Sequence, residues 1–259
     1  MNGFIAATML VFCFTLFIFA NENEFYFVQI TDTHWGENNN IKRTKSVIDS
    51  INNLPMPIEF VVHTGDVASQ PMENRLFIDS MLAMMHACKY PVYYLPGNHD
   101  ISFKHFPETS GAFVHNFGNL CKRIEVHGVS IITLFNFKIW DANGKTLYDP
   151  LTQLDSLLKG KPPQMPAIVF QHDPIVDDFY GNAFHPGWPS AERIAFQTLC
   201  ETNNVVAVIA GHFHRDELHW LGQIPLYISA PISGKRGRQS TFRIYHYENG
   251  KLSYFTQYQ

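Results

Sequence analysis

Residues 25–34 read Phe-Tyr-Phe-Val-Gln-Ile-Thr-Asp-Thr-His. From Phe25 to Thr31 the run is mostly aromatic and β-branched, the composition of a short, buried strand. It stops at Asp32, where the chain turns polar. The pattern recurs downstream. Ile58 and Phe60–His63 read as a second strand ending at Gly65-Asp66, and Pro91–Leu95 as a third ending at Gly97-Asn98-His99-Asp100. Between them, Lys42–Asn52 carries Val47, Ile48 and Ile51 at helical spacing. Asn74–Lys89 is rich in Met and Leu with the same period, and its methionines read as core filling. Strand, helix, strand, helix, strand implies parallel strands joined by crossover helices.

Farther along the pattern changes. Ile124–Val126 and Ser130–Phe135, split by His127-Gly128, read as a hairpin. A helix near Leu151–Leu158, a strand at Ala167–Gln171, a helix near Ala191–Glu201 and a strand at Val205–Ala210 follow. From Glu217 to Tyr258 the chain reads as several antiparallel strands, clearest at Leu226–Ser229, Phe242–Tyr247 and Leu252–Gln257.

The 259 residues suit one fairly large domain. Hydrophobic residues at 46% and charged residues at 16% exclude a disordered chain. The net charge of -4 comes with no basic stripe that would suggest a nucleic-acid groove. Residues 1–20 stand apart. Phe4–Ala20 is uncharged and mostly apolar, and Asn21-Glu22-Asn23-Glu24 ends it. This reads as a secretory signal peptide cleaved near Ala20, with the domain spanning 21–259 and a secreted or extracytoplasmic location. An uncleaved membrane anchor is the competing reading. Cys88, Cys121 and Cys200 allow one disulfide plus a thiol, or three buried thiols.

In sheets of this kind, ligands bind beyond the carboxyl ends of the strands. Five apolar strands here end in polar clusters: Asp32-Thr33-His34, Gly65-Asp66, Gly97-Asn98-His99-Asp100, His172-Asp173-Pro174 and Gly211-His212-Phe213-His214. Asp-x-His and His-x-His place two side chains on one side of an extended segment, which suits chelation. Each piece alone is common turn chemistry. Together they gather many Asp and His residues, and burying that set is costly without a cation. The mixed N and O donors suit Mn, Fe or Zn better than Mg or Ca.

The ordered series DTH, GD, GNHD, a His in QHDP, and GHFH resembles the calcineurin-like metallophosphoesterase superfamily. The resemblance implies an α/β fold, a metallophosphoesterase-type β-sandwich of mixed sheets flanked by helices. It also implies two metal ions, one held by Asp32, His34 and His214, the other by Asn98, His172 and His212, with Asp66 bridging. Such a pair activates a bridging water for hydrolysis of a phosphomonoester or phosphodiester, on a small-molecule or phosphorylated substrate. His99 takes the role of an acid at the leaving oxygen, and Asp100 either orients His99 or caps the next segment. Gly65, Gly97 and Gly211 are expected to let the backbone turn beneath the metals. The alternative is a catalytically silent metal-binding or scaffold protein.

Two departures narrow the branch. After Gly65-Asp66 the chain continues Val67-Ala68-Ser69-Gln70, without the longer GDxxDRG of protein serine/threonine phosphatases. Ser69 also stands where purple acid phosphatases have a metal-binding Tyr. The pattern is similar to the cyclic-nucleotide phosphodiesterase-like branch and to small calcineurin-like phosphoesterases. Of the other histidines, His63 precedes the Gly-Asp turn and is read either as an ordinary core histidine or as a support for the ligands. Lys235, Arg236 and Arg238 form either a solvated loop or a phosphate-binding one.

Overall fold

The computed structural model describes residues 23–37, 39–70, 75–180 and 182–259. The segment read as a leader, residues 1–20, lies outside the described residues. The chain begins with β1 (Glu24–Ile30), α1 (Asn40–Asn52), β2 (Ile58–Thr64), α2 (Arg75–Met85), β3 (Val92–Leu95) and α3 (Phe106–Phe117). It continues with β4 (Cys121–Val126), β5 (Val129–Leu134), β6 (Ile139–Trp140), β7 (Thr146–Tyr148), α4 (Pro150–Lys159) and β8 (Ala167–Phe170). Then come β9 (Asp178–Tyr180), β10 (Ala183–His185), α5 (Ser190–Thr202), β11 (Val205–Ala210), β12 (Glu217–Leu221), β13 (Ile224–Ile228), β14 (Thr241–Glu248) and β15 (Lys251–Tyr258).

Two mixed sheets stack face to face. One runs β15-β14-β1-β2-β3, the other β12-β13-β11-β8-β5-β4. Alternation along β1 explains why. Phe25 and Phe27 point between the sheets and pack with Phe60, Leu95, Ile131, Phe170 and Ile209. Phe27 stacks on Phe60 with centroids 5.1 Å apart and meets Phe170 edge-on at 5.6 Å. Val28 and Ile30 point the other way, against Val47, Ile48 and Ile51 of α1 and Met81 and Met85 of α2. On the outer face of the second sheet, Val169, Val208 and Leu226 meet Leu154 and Leu158 of α4 and Phe196 of α5. The expected sandwich flanked by helices is therefore what forms. Strands covered on both faces read as continuous apolar runs, which is how the sequence presents them. The methionines of α2 do fill the core.

The closing segment differs from the expectation. β14 pairs antiparallel with both β1 and β15, as anticipated. β13, however, pairs parallel with β11 and belongs to the other sheet, with β12 antiparallel beside it. Alternation shows that a segment is a strand but carries no information about which sheet takes it. α3 was also not anticipated. Its sequence, FPETSGAFVHNF, holds a Pro, a Gly and β-branched residues that hide its period, and burial of Thr109 and Phe113 decides the matter. The three described cysteines are free. Among the described residues, no helix is long and apolar enough to cross a membrane.

Candidate functional site

β1, β2 and β3 in one sheet, and β8 and β11 in the other, all end on the same edge of the sandwich. The loops after β1 and β2 stay zipped beyond the strands. Asp32 N donates to Gly65 O (3.0 Å), His34 N to Asp66 O (3.0 Å) and Trp35 N to Val67 O (2.9 Å). The second sheet is locked to the first by Gln29, whose Nε2 donates to Ala210 O (2.8 Å) and Thr64 Oγ1 (2.9 Å).

This edge gathers two groups of side chains that can hold a metal ion: Asp32, His34, Asp66 and His214, and Asp66, His172 and His212. Within each group the donor atoms lie within 4.8 Å of one another, and Asp66 belongs to both. Asn98 and His99 line the same cavity. All seven expected ligands and the expected acid thus come together.

Their shared direction does not arise from strand alternation, contrary to the Asp-x-His and His-x-His expectation. Residues 31–34 and 211–214 lie beyond the strands, and Asp32, His34, Asp66, His212 and His214 all have positive φ, between 43° and 68°. L-residues adopt that region rarely and at a cost, so five instances in one site mark strain held by the surrounding fold.

The glycines contribute in two ways. Gly65 has φ +92 and makes the expected turn. Gly97 and Gly211 supply space instead. A Cβ at Gly97 would lie 2.2 Å from Asp66 Oδ1, and one at Gly211 would lie 2.8 Å from Asp32 Oδ2.

The donor set fits a pair of cations. Asp32 Oδ2 accepts from Thr31 Oγ1 (2.7 Å) and His212 N (3.0 Å). Its Oδ1 is buried without a hydrogen bond, with His214 Nε2 3.0 Å away and His34 Nε2 3.6 Å away. His34 Nε2 faces His214 Nε2 at 3.2 Å, and His212 Nδ1 faces His172 Nε2 at 3.1 Å. The Oδ1 of Asn98 is likewise buried and unpartnered. His172 Nδ1 donates to Thr64 O (2.8 Å), so the Nε2 lone pair is turned to the site.

Without metal, protons balance the carboxylates. Burial alone would lower the His172 pKa and raise that of Asp66. Their mutual attraction outweighs it, pushing His172 up to about 10 and Asp66 down to about 2. Burial opposes ionisation of Asp32 as well, yet His214 and His34 hold it well below the usual carboxylate range. Burial and the nearby His172 push His212 down.

The supporting residues join the loops to one another. Asp100 makes no contact that orients His99. It accepts Val67 N (3.1 Å), Ala68 N (2.9 Å) and Gly97 N (2.8 Å), binding the β2 loop to the β3 loop. His99 Nδ1 donates instead to Ser69 O (3.0 Å), which leaves Nε2 4.0 Å from Asp66 Oδ2. Ser69 Oγ donates to His34 O (2.9 Å) and Trp35 O (3.0 Å). The residue read only for the Tyr it replaces therefore ties the first loop to His99. His63, held neutral by burial with a pKa near 3, bonds Thr33 Oγ1 at 3.0 Å and supports the Asp-Thr-His turn. Asp173 caps its own loop by accepting Ile175 N (2.6 Å). Lys235 reaches the site and donates to His34 Nδ1 (3.2 Å), whereas Arg238 is exposed. Asn40 joins the two, donating to His34 O (2.9 Å) and accepting Gly234 N (3.2 Å). Asp178, Tyr180 and Phe213 also line the cavity. No sequence motif pointed to Asp178 or Tyr180.

Comparison with known proteins returns one family. Residues 25–216 match the family model described as Calcineurin-like phosphoesterase. The chain is 24% identical over 260 residues to serine/threonine-protein phosphatase CPPED1 of Bos taurus, covering 86% of this chain and 82% of that protein. It is 24% identical over 201 residues to the Danio rerio protein of the same name, covering 70% of this chain but only 62% of the relative's length. Among solved structures, purple acid phosphatase PPD1 from Lupinus luteus superposes with a TM-score of 0.64 at 13% identity. That match covers 91% of this chain and 51% of the lupin chain, and shows a shared fold.

Proposed function

The chain belongs to the calcineurin-like phosphoesterase family, whose members are metal-dependent phosphoric ester hydrolases, and from that premise we propose that it is a dinuclear-metal phosphoesterase acting on a phosphomonoester or phosphodiester. The observation that carries this reading is the sharing of the Asp66 carboxylate between two donor groups, since a carboxylate can bridge two cations whereas a neutral imidazole binds one, and Asp66 Oδ2 lies 3.6 Å from His34 Nε2 and 3.3 Å from His172 Nε2. Asp32, His34 and His214 would hold one ion, and Asn98, His172 and His212 the other. When bound, the ions supply positive charge for the phosphoryl oxygens and acidity for an attacking water.

The chain's own residues do the rest. Ser69 holds the His99 ring by Nδ1, and Nε2, once protonated, donates to the leaving oxygen. A His34 that ligates through Nε2 keeps its proton on Nδ1 and no longer accepts from Lys235. The Lys235 ammonium, which also pairs with Glu37 at 3.5 Å, then has a donor to offer a substrate phosphate. The name carried by the two vertebrate relatives favours phosphomonoesters, although this chain lacks the GDxxDRG stretch.

The test is metal depletion and reconstitution. Protein stripped by chelation is reloaded with Mn, Zn or Fe and assayed on p-nitrophenyl phosphate and bis-p-nitrophenyl phosphate, with bound metal counted. Two ions per chain with turnover are expected. Two bound ions without turnover on either ester would replace the enzyme by a metal-binding scaffold.

A further inference from the structure

β5 lies beside β8 in parallel register, from Ser130 opposite Ala167 to Thr133 opposite Phe170. Both strands therefore run out on the catalytic edge. The end of β8 delivers His172, whereas the end of β5, Phe135-Asn136-Phe137, has no part in the chemistry above.

Asn136 is fully buried there. Its side-chain amide bonds both main-chain groups of Asp173, the residue directly after His172. Nδ2 donates to Asp173 O (2.7 Å), and Oδ1 accepts Asp173 N (3.2 Å). A side-chain amide offers the same donor and acceptor as a peptide group. Asn136 thus continues the pairing of β5 with β8 beyond the last main-chain partners and past the metal ligand.

This turn needs holding. Ile175 is fully buried with φ 63, and a β-branched residue in that region is a genuine outlier. Such a conformation persists only where its surroundings over-determine it. Gln171 Nε2 also donates to Asp173 O (2.9 Å), Asp173 Oδ1 accepts Ile175 N (2.6 Å), and Trp188 N donates to Ile175 O (3.0 Å). The bond from His172 Nδ1 to Thr64 O sets the direction of the ring, but the main chain sets how far Nε2 reaches. Nε2 stands 3.3 Å from Asp66 Oδ2 and 3.1 Å from His212 Nδ1, and metal–ligand distances tolerate only about 0.2 Å.

We propose that Asn136 is a positioning residue for one of the two metal ions. It fixes the main chain at His172, and with it the ion that His172, His212 and Asn98 would share with Asp66. The proposal rests on the two-metal reading above. The ion on Asp32, His34 and His214 takes its ligands from the loops after β1 and β11, so it does not depend on this turn.

Titration calorimetry of chelated full-length protein with Mn reads the two binding steps separately and needs no turnover. His172→Ala marks which step belongs to its ion. Asn136→Leu keeps the approximate shape and removes both bonds. It is expected to weaken that step by about 10–100-fold and to leave the other within about threefold. Gln171→Leu, which removes one bond to the same carbonyl, weakens the same step by a smaller factor. Met81→Ala opens the core on the far side of the other sheet and lowers Tm without moving either step. An Asn136→Leu protein that loses Tm alone, or in which both steps weaken alike, overturns the role. If Asn136→Leu does not fold, an unmoved step in Gln171→Leu overturns it equally. Wild-type protein that binds fewer than two ions overturns the two-metal reading itself.

Discussion

Gly97→Ala isolates the dependence of the metal site on backbone spacing. Gly97 lies outside the left-handed region, so the substitution costs no backbone strain and acts through space alone. The new Cβ would sit 2.2 Å from Asp66 Oδ1 and 2.4 Å from Asp66 N. Moving the carboxylate out to ordinary contact at 3.4 Å requires a displacement of about 1.2 Å. Neither atom is the far end of a flexible chain, and His99 N holds the same Oδ1 at 2.9 Å. Metal–ligand distances tolerate only about 0.2 Å, so a shift of this size removes Asp66 from both groups at once. The overpacking itself costs about 1–3 kcal/mol, which in a domain of this size lowers Tm by about 2–4 °C per kcal/mol. The metal-free variant should therefore melt several degrees below wild type. It should also gain little on adding metal, bind fewer than two ions and lose turnover. Gly111→Ala is the control. It lies in α3 with nothing within 4 Å of its Cβ, and should stabilise by about 0.5–1 kcal/mol. A Gly97→Ala protein with two ions, wild-type turnover and an unchanged melt would refute the argument that Asp66 is held by this contact.

Asp66→Asn keeps the shape and removes the charge, so metal content should drop below two and turnover by at least about 100-fold; survival of both means that Asp66 does not bridge. Asp100→Asn turns one acceptor into a donor facing a backbone N–H, at a cost of about 1–3 kcal/mol in chemical denaturation, and an unchanged midpoint counts against its role in joining the loops. In chelated protein the raised His172 pKa gives stability that is complete below 6.5 and lost as pH rises toward about 10, while the lowered Asp66 pKa gives stability complete above 3.8 and lost as pH falls toward about 2. Tm of metal-free protein should therefore peak between those limits, and a flat profile from pH 6.5 to 10 contradicts the ion pair. Reading residues 1–20 as a cleaved leader predicts an exported protein that begins near Asn21, and N-terminal sequencing that finds Met1 in a soluble intracellular fraction rejects it.

What the sequence determined by itself was the set of strand ends and the chemistry placed on them. Phe25–Thr31 before Asp32, or Val205–Ala210 before His212, is a local pattern of burial broken by a polar turn, and local patterns survive in one dimension. Tertiary structure alone decided how those ends meet. The Thr64 carbonyl that orients His172 is 108 residues away in the chain, a separation across which residue period carries no signal. The same holds for β13, whose alternation fits either sheet until its parallel partner β11 claims it. The left-handed turns at Asp32, His34, His212 and His214 are only weakly signalled locally: Asp and His tolerate that region better than most residues, but still at a cost, and long-range bonds such as His212 N to Asp32 Oδ2 hold them. Two metal groups sharing Asp66 thus follow from ligand types written along the chain and from a sandwich that folds five distant strand ends onto one edge.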